Sequence, residues 1–552
     1  MVVKTPIKHQ SGAKSPDRTK RRKSGSVETN AHKQTGSAEE FPPAPQVNGL
    51  SNPRPNIWQP GEGEVGIRVR MYRVGFGDFF LLTLLDPRGD SQHIVIDCGV
   101  FKGTSQTGDL NSIEAAVANM LETTNGEVAL IIMTHRHADH IAGFARCADK
   151  FEKLKIAAVW MPIWESEYEP TALKFQTELT HAALGLQRHL TALATNATEK
   201  QNTVLKCNTA LEYMQNATGN FDGIAALGKA SNAVALDLLK RGFSGVSPKY
   251  YKAGDKPQLP DALAKIGLKC EILGPPPITD LDLMKLMDLK KNVGQYLADQ
   301  ADEEGVDFTP FGAEWEIDPS QKPETVNNEF YTPESFREWI LGERKSWGPV
   351  QEEESRKARD RMENMLDQLQ PIVALTAAKQ LNSFLNNQSL VTLFEFKGKK
   401  LLFVGDAQAG NWEHWLFSSD TPDKVGTGSI DAVAREILTS LDFYKVGHHG
   451  SGNATPKLVA ETMGTGKKFA AMCSTEEGVY GTEDPDDPTK GTEVPRGPLL
   501  KKLASDSALV RSDQFPITVN GTEIRARAPA PLPPSIPGCR FEVGPLWVDC
   551  YL

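Results

Sequence analysis

The run Thr134-His135-Arg136-His137-Ala138-Asp139-His140-Ile141 constrains the fold of this chain more than any other stretch. It follows directly on Val128–Met133, an apolar run suited to a strand buried on both faces. Two histidines separated by one residue on an extended turn project to the same side. Asp139 and His140, at the start of the next helix, point back at the same space. Four imidazole and carboxylate groups at one strand-to-helix corner are costly unless something binds there. Both group types suit zinc or a similar borderline divalent ion.

Further candidate ligands sit at other strand ends. Val404-Gly405-Asp406 closes an apolar strand with a carboxylate, where a metal-bridging aspartate would sit. Val446–Gly450 closes another with His448 and His449. Each is weak alone, because a strand-end aspartate is commonly a turn residue or a helix cap. With the first cluster they supply about the number of ligands two metals need. Asp97, ending Gln92–Asp97, is better suited to orienting a ligand histidine from behind.

The rest of the chain supports an α/β reading. Val65–Val74, Phe79–Leu85 and Gln92–Ile96 read as strands, and Asn111–Thr123 as a helix before the 128–133 strand. Strands resume at Ser389–Phe396, Lys400–Val404, Phe443–Val446 and Phe469–Cys473, with a last one at Leu546–Tyr551 after a proline-rich connector. Between them, about 165–262 and 280–380 carry mostly helical patterns and read as insertions. Residues 1–60 are polar, with almost no large apolar side chain before Phe41, and read as a disordered tail. Its Lys20–Lys23 run is a solvated charge run or, less commonly, an import or anion-binding patch. Residues 61–552 are expected to form one domain, with 506–552 as a C-terminal extension.

Composition narrows the partners. A net charge of −10 over 552 residues argues against a broadly basic nucleic-acid surface, without excluding a local groove. The seven cysteines, Cys98, Cys147, Cys207, Cys270, Cys473, Cys539 and Cys550, are scattered and contain no CxxC pair. They read as reduced thiols of a cytoplasmic protein. No stretch approaches the roughly 18 apolar residues a membrane span needs.

The ordered set of Asp97, His135-x-His137-x-Asp139-His140, Asp406 and a late strand-end histidine resembles the metallo-β-lactamase superfamily. Val74–Asp78, Asn386–Val391, Lys400–Ala407 and Lys445–Ser451 make the finer likeness, to the soluble hydrolase domain of ComEC-type DNA-uptake proteins. The likeness covers roughly 65–160, 265–277 and 385–505. It implies a four-layer αββα sandwich with large helical insertions, and a pair of cations: Zn2+, with Mn2+ or Fe as substitutes. In this family's pattern His135 and His137 bind the first metal. Asp139, His140 and one of the 448/449 pair bind the second. Asp406 bridges both, and Asp97 supports from behind. His448, nearer the strand end, is the expected ligand, with His449 as competitor and as the candidate acid for the leaving group. Asp139 would also orient a metal-bound hydroxide nucleophile. Ser451 is either a hydrogen-bond donor to substrate or a turn cap.

The likeness implies hydrolysis of a phosphodiester or related phosphoester, of a small molecule or a nucleic acid. Hydrolysis of a lactone, thioester or β-lactam is the alternative, and a non-catalytic metal-binding scaffold a third reading. Many superfamily members carry another histidine between the first cluster and the bridging aspartate. Here only His181 and His189 fall between 141 and 405, both in helical pattern, where surface histidines are the commoner outcome. Trp160 and Trp164 could line the mouth of the site, core packing being the commoner use.

Overall fold

Strands form in this chain where successive side chains can be buried in opposite directions. In the segment Lys399–Val404, Leu401 and Phe403 enter one core while Leu402 and Val404 enter another. Such double burial runs through the computed structural model, which describes residues 58–86, 88–101, 113–177, 231–279, 384–417, 430–479, 494–519, 522–524 and 526–552. The basic tail, most of both insertions, His181, His189 and Cys207 lie outside the described residues.

The protein is mixed α/β, with two multi-stranded sheets and flanking helices. The first sheet contains β1 (Ile67–Tyr72), β2 (Phe79–Leu85), β3 (Ser91–Cys98), β4 (Glu127–Ile132), β5 (Lys155–Pro162) and β6 (Lys249–Tyr251). The second contains β7 (Lys269–Gly274), β8 (Val391–Phe396), β9 (Lys399–Phe403), β10 (Phe443–Lys445), β11 (Phe469–Cys473) and β12 (Ser507–Arg511). A small hairpin, β13 (Ile517–Val519) and β14 (Thr522–Ile524), stands apart from both. Finally β15 (Arg540–Val543) and β16 (Trp547–Tyr551) return to the first sheet, giving the order β15-β16-β1-β2-β3-β4-β5-β6. The second sheet runs β12-β11-β10-β9-β8-β7.

Both sheets change character part-way across. The pairs from β15 to β3 are antiparallel, whereas β3, β4, β5 and β6 run parallel. Likewise β7, β8 and β9 are antiparallel and β9 to β12 parallel. Parallel strands need crossovers, so their C-terminal ends open onto loops that lead into helices, where α/β proteins commonly collect functional groups.

Three cores hold the sheets. One takes Phe80, Leu82, Ile94 and Ile132 from the first sheet and Phe394, Leu401, Phe403 and Met472 from the second. Another packs Leu81, Val95, Ile131 and Val159 against the helices α1 (Ile113–Thr124) and α2 (Ala138–Arg146). In the third, Leu402, Tyr444 and Ala471 meet the helices Ala409–Leu416, Ala432–Thr439, Lys457–Gly464 and Gly497–Asp506. Trp160 and Trp164 are fully buried, the packing outcome.

Two expectations about organisation change. The span 165–262, read as a helical insertion, contains β6, which pairs in parallel with β5 at the sheet edge. Residues 506–552 are not an appendage: β12 completes the second sheet, and β16 covers the edge of β1, pairing Arg68 with Tyr551. Periodicity reads a strand's faces but carries no record of a partner far away in the chain. No described helix is long and apolar enough to cross a membrane, and the six described cysteines are unbridged.

Candidate metal centre

Every residue of the candidate set leaves a strand of the parallel half of its sheet. Asp97 lies at the end of β3, His135 and His137 follow β4, Asp406 follows β9, and His448 and His449 follow β10. The backbone is bent to make this possible. Asp97, His448 and His449 adopt φ of 55°, 43° and 53°, three of the five positive values among described non-glycine residues. Left-handed backbone at side chains other than glycine stores strain and clusters at functional sites. Gly99 permits a close backbone approach, since a Cβ there would stand 2.0 Å from the Asp139 carbonyl carbon.

The centre turns on Asp406, which is wholly buried. Its Oδ2 lies 3.1 Å from His140 Nε2, 3.7 Å from His449 Nε2, 3.8 Å from His448 Nε2 and 3.9 Å from His135 Nε2. Two groups share this carboxylate. Asp139, His140, Asp406 and His449 form one, His135, His137 and Asp406 the other, and within each group one ligand atom per residue lies within 4.8 Å of the rest. Either could hold a metal ion.

Surrounding groups fix which nitrogen of each imidazole faces inward. Asp97 accepts from the Thr134 backbone N–H (2.7 Å), from Thr134 Oγ1 (2.6 Å) and from His140 Nδ1 (2.8 Å), so His140 presents Nε2 to Asp406. A carboxylate behind a histidine in this way orients it for a metal. His449 Nδ1 donates to the Ser474 carbonyl at 2.8 Å, turning its Nε2 to within 3.1 Å of Asp139 Oδ2. Ser389 Oγ accepts from the Asp406 N–H at 3.0 Å. His135 Nε2 and His137 Nδ1 face one another at 2.9 Å.

The fit to a cation can be judged from unsatisfied atoms. His137 Nε2, His140 Nε2 and both oxygens of Asp406 are buried without a hydrogen-bond partner. Orphans are rare in buried positions and need a cause; the two imidazole nitrogens and Asp406 Oδ2 are donor types that a divalent ion takes, while Asp406 Oδ1 stands 3.7 Å from the Lys445 ammonium. Charge states agree. Burial holds His135 well below its usual pKa and pushes His137 down to about 4, so both are neutral, the state a ligand imidazole needs. Burial alone would raise Asp406, yet His140, His448 and His449 hold it well below the carboxylate range. Burial likewise opposes protonation of His140, but Asp406 and Asp97 hold it well above its ordinary value, so a cation binding there would displace a proton.

The preference within the histidine pair is reversed by the geometry. His449, fully buried, belongs to the four-residue group; His448 belongs to neither, and its side chain is 22 % exposed. The two successive left-handed residues turn the second imidazole inward and leave the first at the rim, an effect that nearness to the strand end does not foretell. His448 Nδ1 meets only the Gln408 amide, at 3.5 Å. Among the described residues no further histidine joins the His135/His137 group. Ser451 Oγ donates to Asn453 Oδ1 at 2.8 Å, the turn-capping outcome.

Two participants carried no role in the sequence reading. Asp78, before β2, and Lys445, within β10, are both buried and form an ion pair beneath Asp406. Asp78 Oδ2 also lies 3.7 Å from His140 Nδ1, and Asp78 Oδ1 3.6 Å from His449 Nδ1. A lysine in the doubly buried strand Phe443–Val446 was the available signal, since a buried ammonium needs a partner. Arg136, between the first two histidines, is fully buried and donates to Glu165 at 2.6 and 2.8 Å. This two-pronged bond ties the histidine loop to the end of β5.

No protein-family model matches the chain, and no curated protein matches it. What the centre can do is therefore read from its own atoms.

Proposed function

We propose that this chain is a metal-dependent hydrolase of the metallo-β-lactamase superfamily, acting on a phosphodiester or related phosphoester. The observation that carries the reading is Asp406, one carboxylate common to two adjacent buried ligand groups. The sharing of a core between two sheets, each with helices on its other face, agrees with the four-layer αββα order of that superfamily. The ligand atoms suit a pair of Zn2+ ions, with Mn2+ or Fe as substitutes. In this reading His135 and His137 would hold one cation, Asp139, His140 and His449 the other, and Asp406 would serve both groups.

Such a pair, when bound, lowers the pKa of water between the ions and draws charge from ester oxygens. The chain's own groups complete the chemistry. Asp139, held in its ionised form by His449 and His140 against the opposing effect of burial, orients the attacking water. His448 stands at the rim with Nε2 3.8 Å from Asp406, and is the imidazole free to pass a proton to the leaving group. That role moves to His448 because His449 is taken up in the ligand group. The phosphoester substrate rests on the likeness of Val74–Asp78 and Lys445–Ser451 to the ComEC-type hydrolase domain. A fold by itself specifies no substrate.

The test is turnover of bis-p-nitrophenyl phosphate, nucleic acids, lactones and nitrocefin by metal-loaded protein. Phosphoester-only turnover is expected. H137A and D139A should each lower it by more than about a hundredfold, with the unfolding profile retained. Unchanged turnover in both variants would refute the assignment, and turnover of lactones or nitrocefin alone would overturn the substrate class.

A further inference from the structure

A buried ion network lies directly beneath Asp406, and ligation of two cations does not require it. Lys445 is 2 % exposed and Asp78 1 %. The Lys445 ammonium contacts Asp78 Oδ2, donates to the Gly405 carbonyl at 2.9 Å and stands 3.7 Å from Asp406 Oδ1. Asp78 is fixed in turn by its backbone: its N–H donates to the Asp139 carbonyl and its carbonyl accepts from the Gly99 N–H, both at 2.8 Å. The lysine thus comes from a strand of the second sheet, and its counter-ion from the start of a strand of the first.

The two oxygens of Asp406 therefore have different neighbours. Four imidazole nitrogens surround Oδ2 at 3.1–3.9 Å, whereas Oδ1 has the ammonium. A carboxylate with both oxygens free can give one to each of two cations. With one oxygen drawn to a fixed positive charge, only the other remains for both.

We propose that Lys445, anchored by Asp78, is a positioning residue that draws on Asp406 Oδ1 and so leaves Oδ2 as the oxygen this aspartate would offer to cations. The proposal rests on the reading of the site as a dinuclear centre. The competing role for this pair is mere attachment of one sheet to the other, and the two roles differ in what happens to cations.

The experiment uses the full chain with Mn2+, whose electron paramagnetic resonance reports exchange coupling between two ions held by shared bridging groups. K445M/D78N removes both charges together, so that neither is left buried and unpaired. D78N alone, which keeps the ammonium and loosens its anchor, serves if the double variant does not fold. The wild-type chain should bind two Mn2+ with an exchange-coupled spectrum. The folded variant should bind the second ion at least about tenfold more weakly and lose that coupling. A folded variant with wild-type affinity for the second ion and the same coupled spectrum overturns the proposal and leaves the pair as attachment only. A wild-type chain that binds no Mn2+, Zn2+ or Fe removes the dinuclear reading itself, which distinguishes that failure from failure of the positioning role.

Discussion

At the scale of single residues, polar groups in this protein are buried mostly with partners, and several of the exceptions converge on one place. His93 shows the rule. It is 6 % exposed, takes hydrogen bonds with Thr83 Oγ1 and Ser91 Oγ at 3.1 Å each, and burial with nearby Arg68 pushes its pKa down to about 3. Below its ordinary value near 6.5 the unfolded chain binds a proton there that the folded chain refuses. Stability is thus lost as pH falls from about 6.5 toward about 3, and is fully present above that window. H93Q should flatten this limb of the stability curve, by an amount on the order of a few kcal/mol at the acid end. Denaturant unfolding between pH 4 and 7 measures it, and parallel curves for both proteins would contradict the assignment. At the candidate centre the residue types were legible from sequence, because imidazoles and carboxylates gathered at strand ends are costly to bury unless they bind a cation. Which of His448 and His449 faces inward was not, since backbone torsions of two adjacent residues decide it. The Lys445–Asp78 pair was half-hidden: a lysine in a doubly buried strand calls for a partner, but that Asp78 supplies it is fixed only when two distant strand ends are brought together.

At the scale of elements, the site depends on how closely α2 can approach the end of β3. The Asp139 carbonyl accepts from the Asp78 N–H, and the Gly99 N–H reaches back to the Asp78 carbonyl. Any side chain at position 99 enters the backbone of Asp139 and His140, 2.0–2.1 Å from its atoms. G99A should cost about 3 kcal/mol or more by displacing the start of α2, and should weaken metal binding with it. G497A, where an added Cβ meets nothing within 4 Å, is the control. Equal melting temperatures for G99A and wild type would show that the approach is not constrained. Element recognition from sequence succeeded where burial is two-sided: β2, β4, β9, β10 and β11 are apolar runs with turn residues nearby. It failed at edges such as β6, Lys249–Tyr251, and β15, Arg540–Val543, which are short and partly polar and acquire strand character only from a neighbour.

At the scale of the whole molecule, one core shared between two sheets brings strand ends from both into a single buried cluster. The α/β class followed from alternating strand and helix patterns. The sheet orders did not, because β16 reaches β1 and β12 joins β11 by pairings that no local pattern encodes. Asp406 and His449 from the second sheet meet Asp139 and His140 beside the first, so folding and metal binding should be linked. The most direct measurement is metal content of the full chain after loading and desalting, wild type against D406N. The account predicts two divalent ions per wild-type chain and no more than one in folded D406N, with a larger rise in melting temperature on loading for the wild type. Equal metal content in the two proteins, or none in a folded wild-type chain offered Zn2+, Mn2+ and Fe, would contradict it.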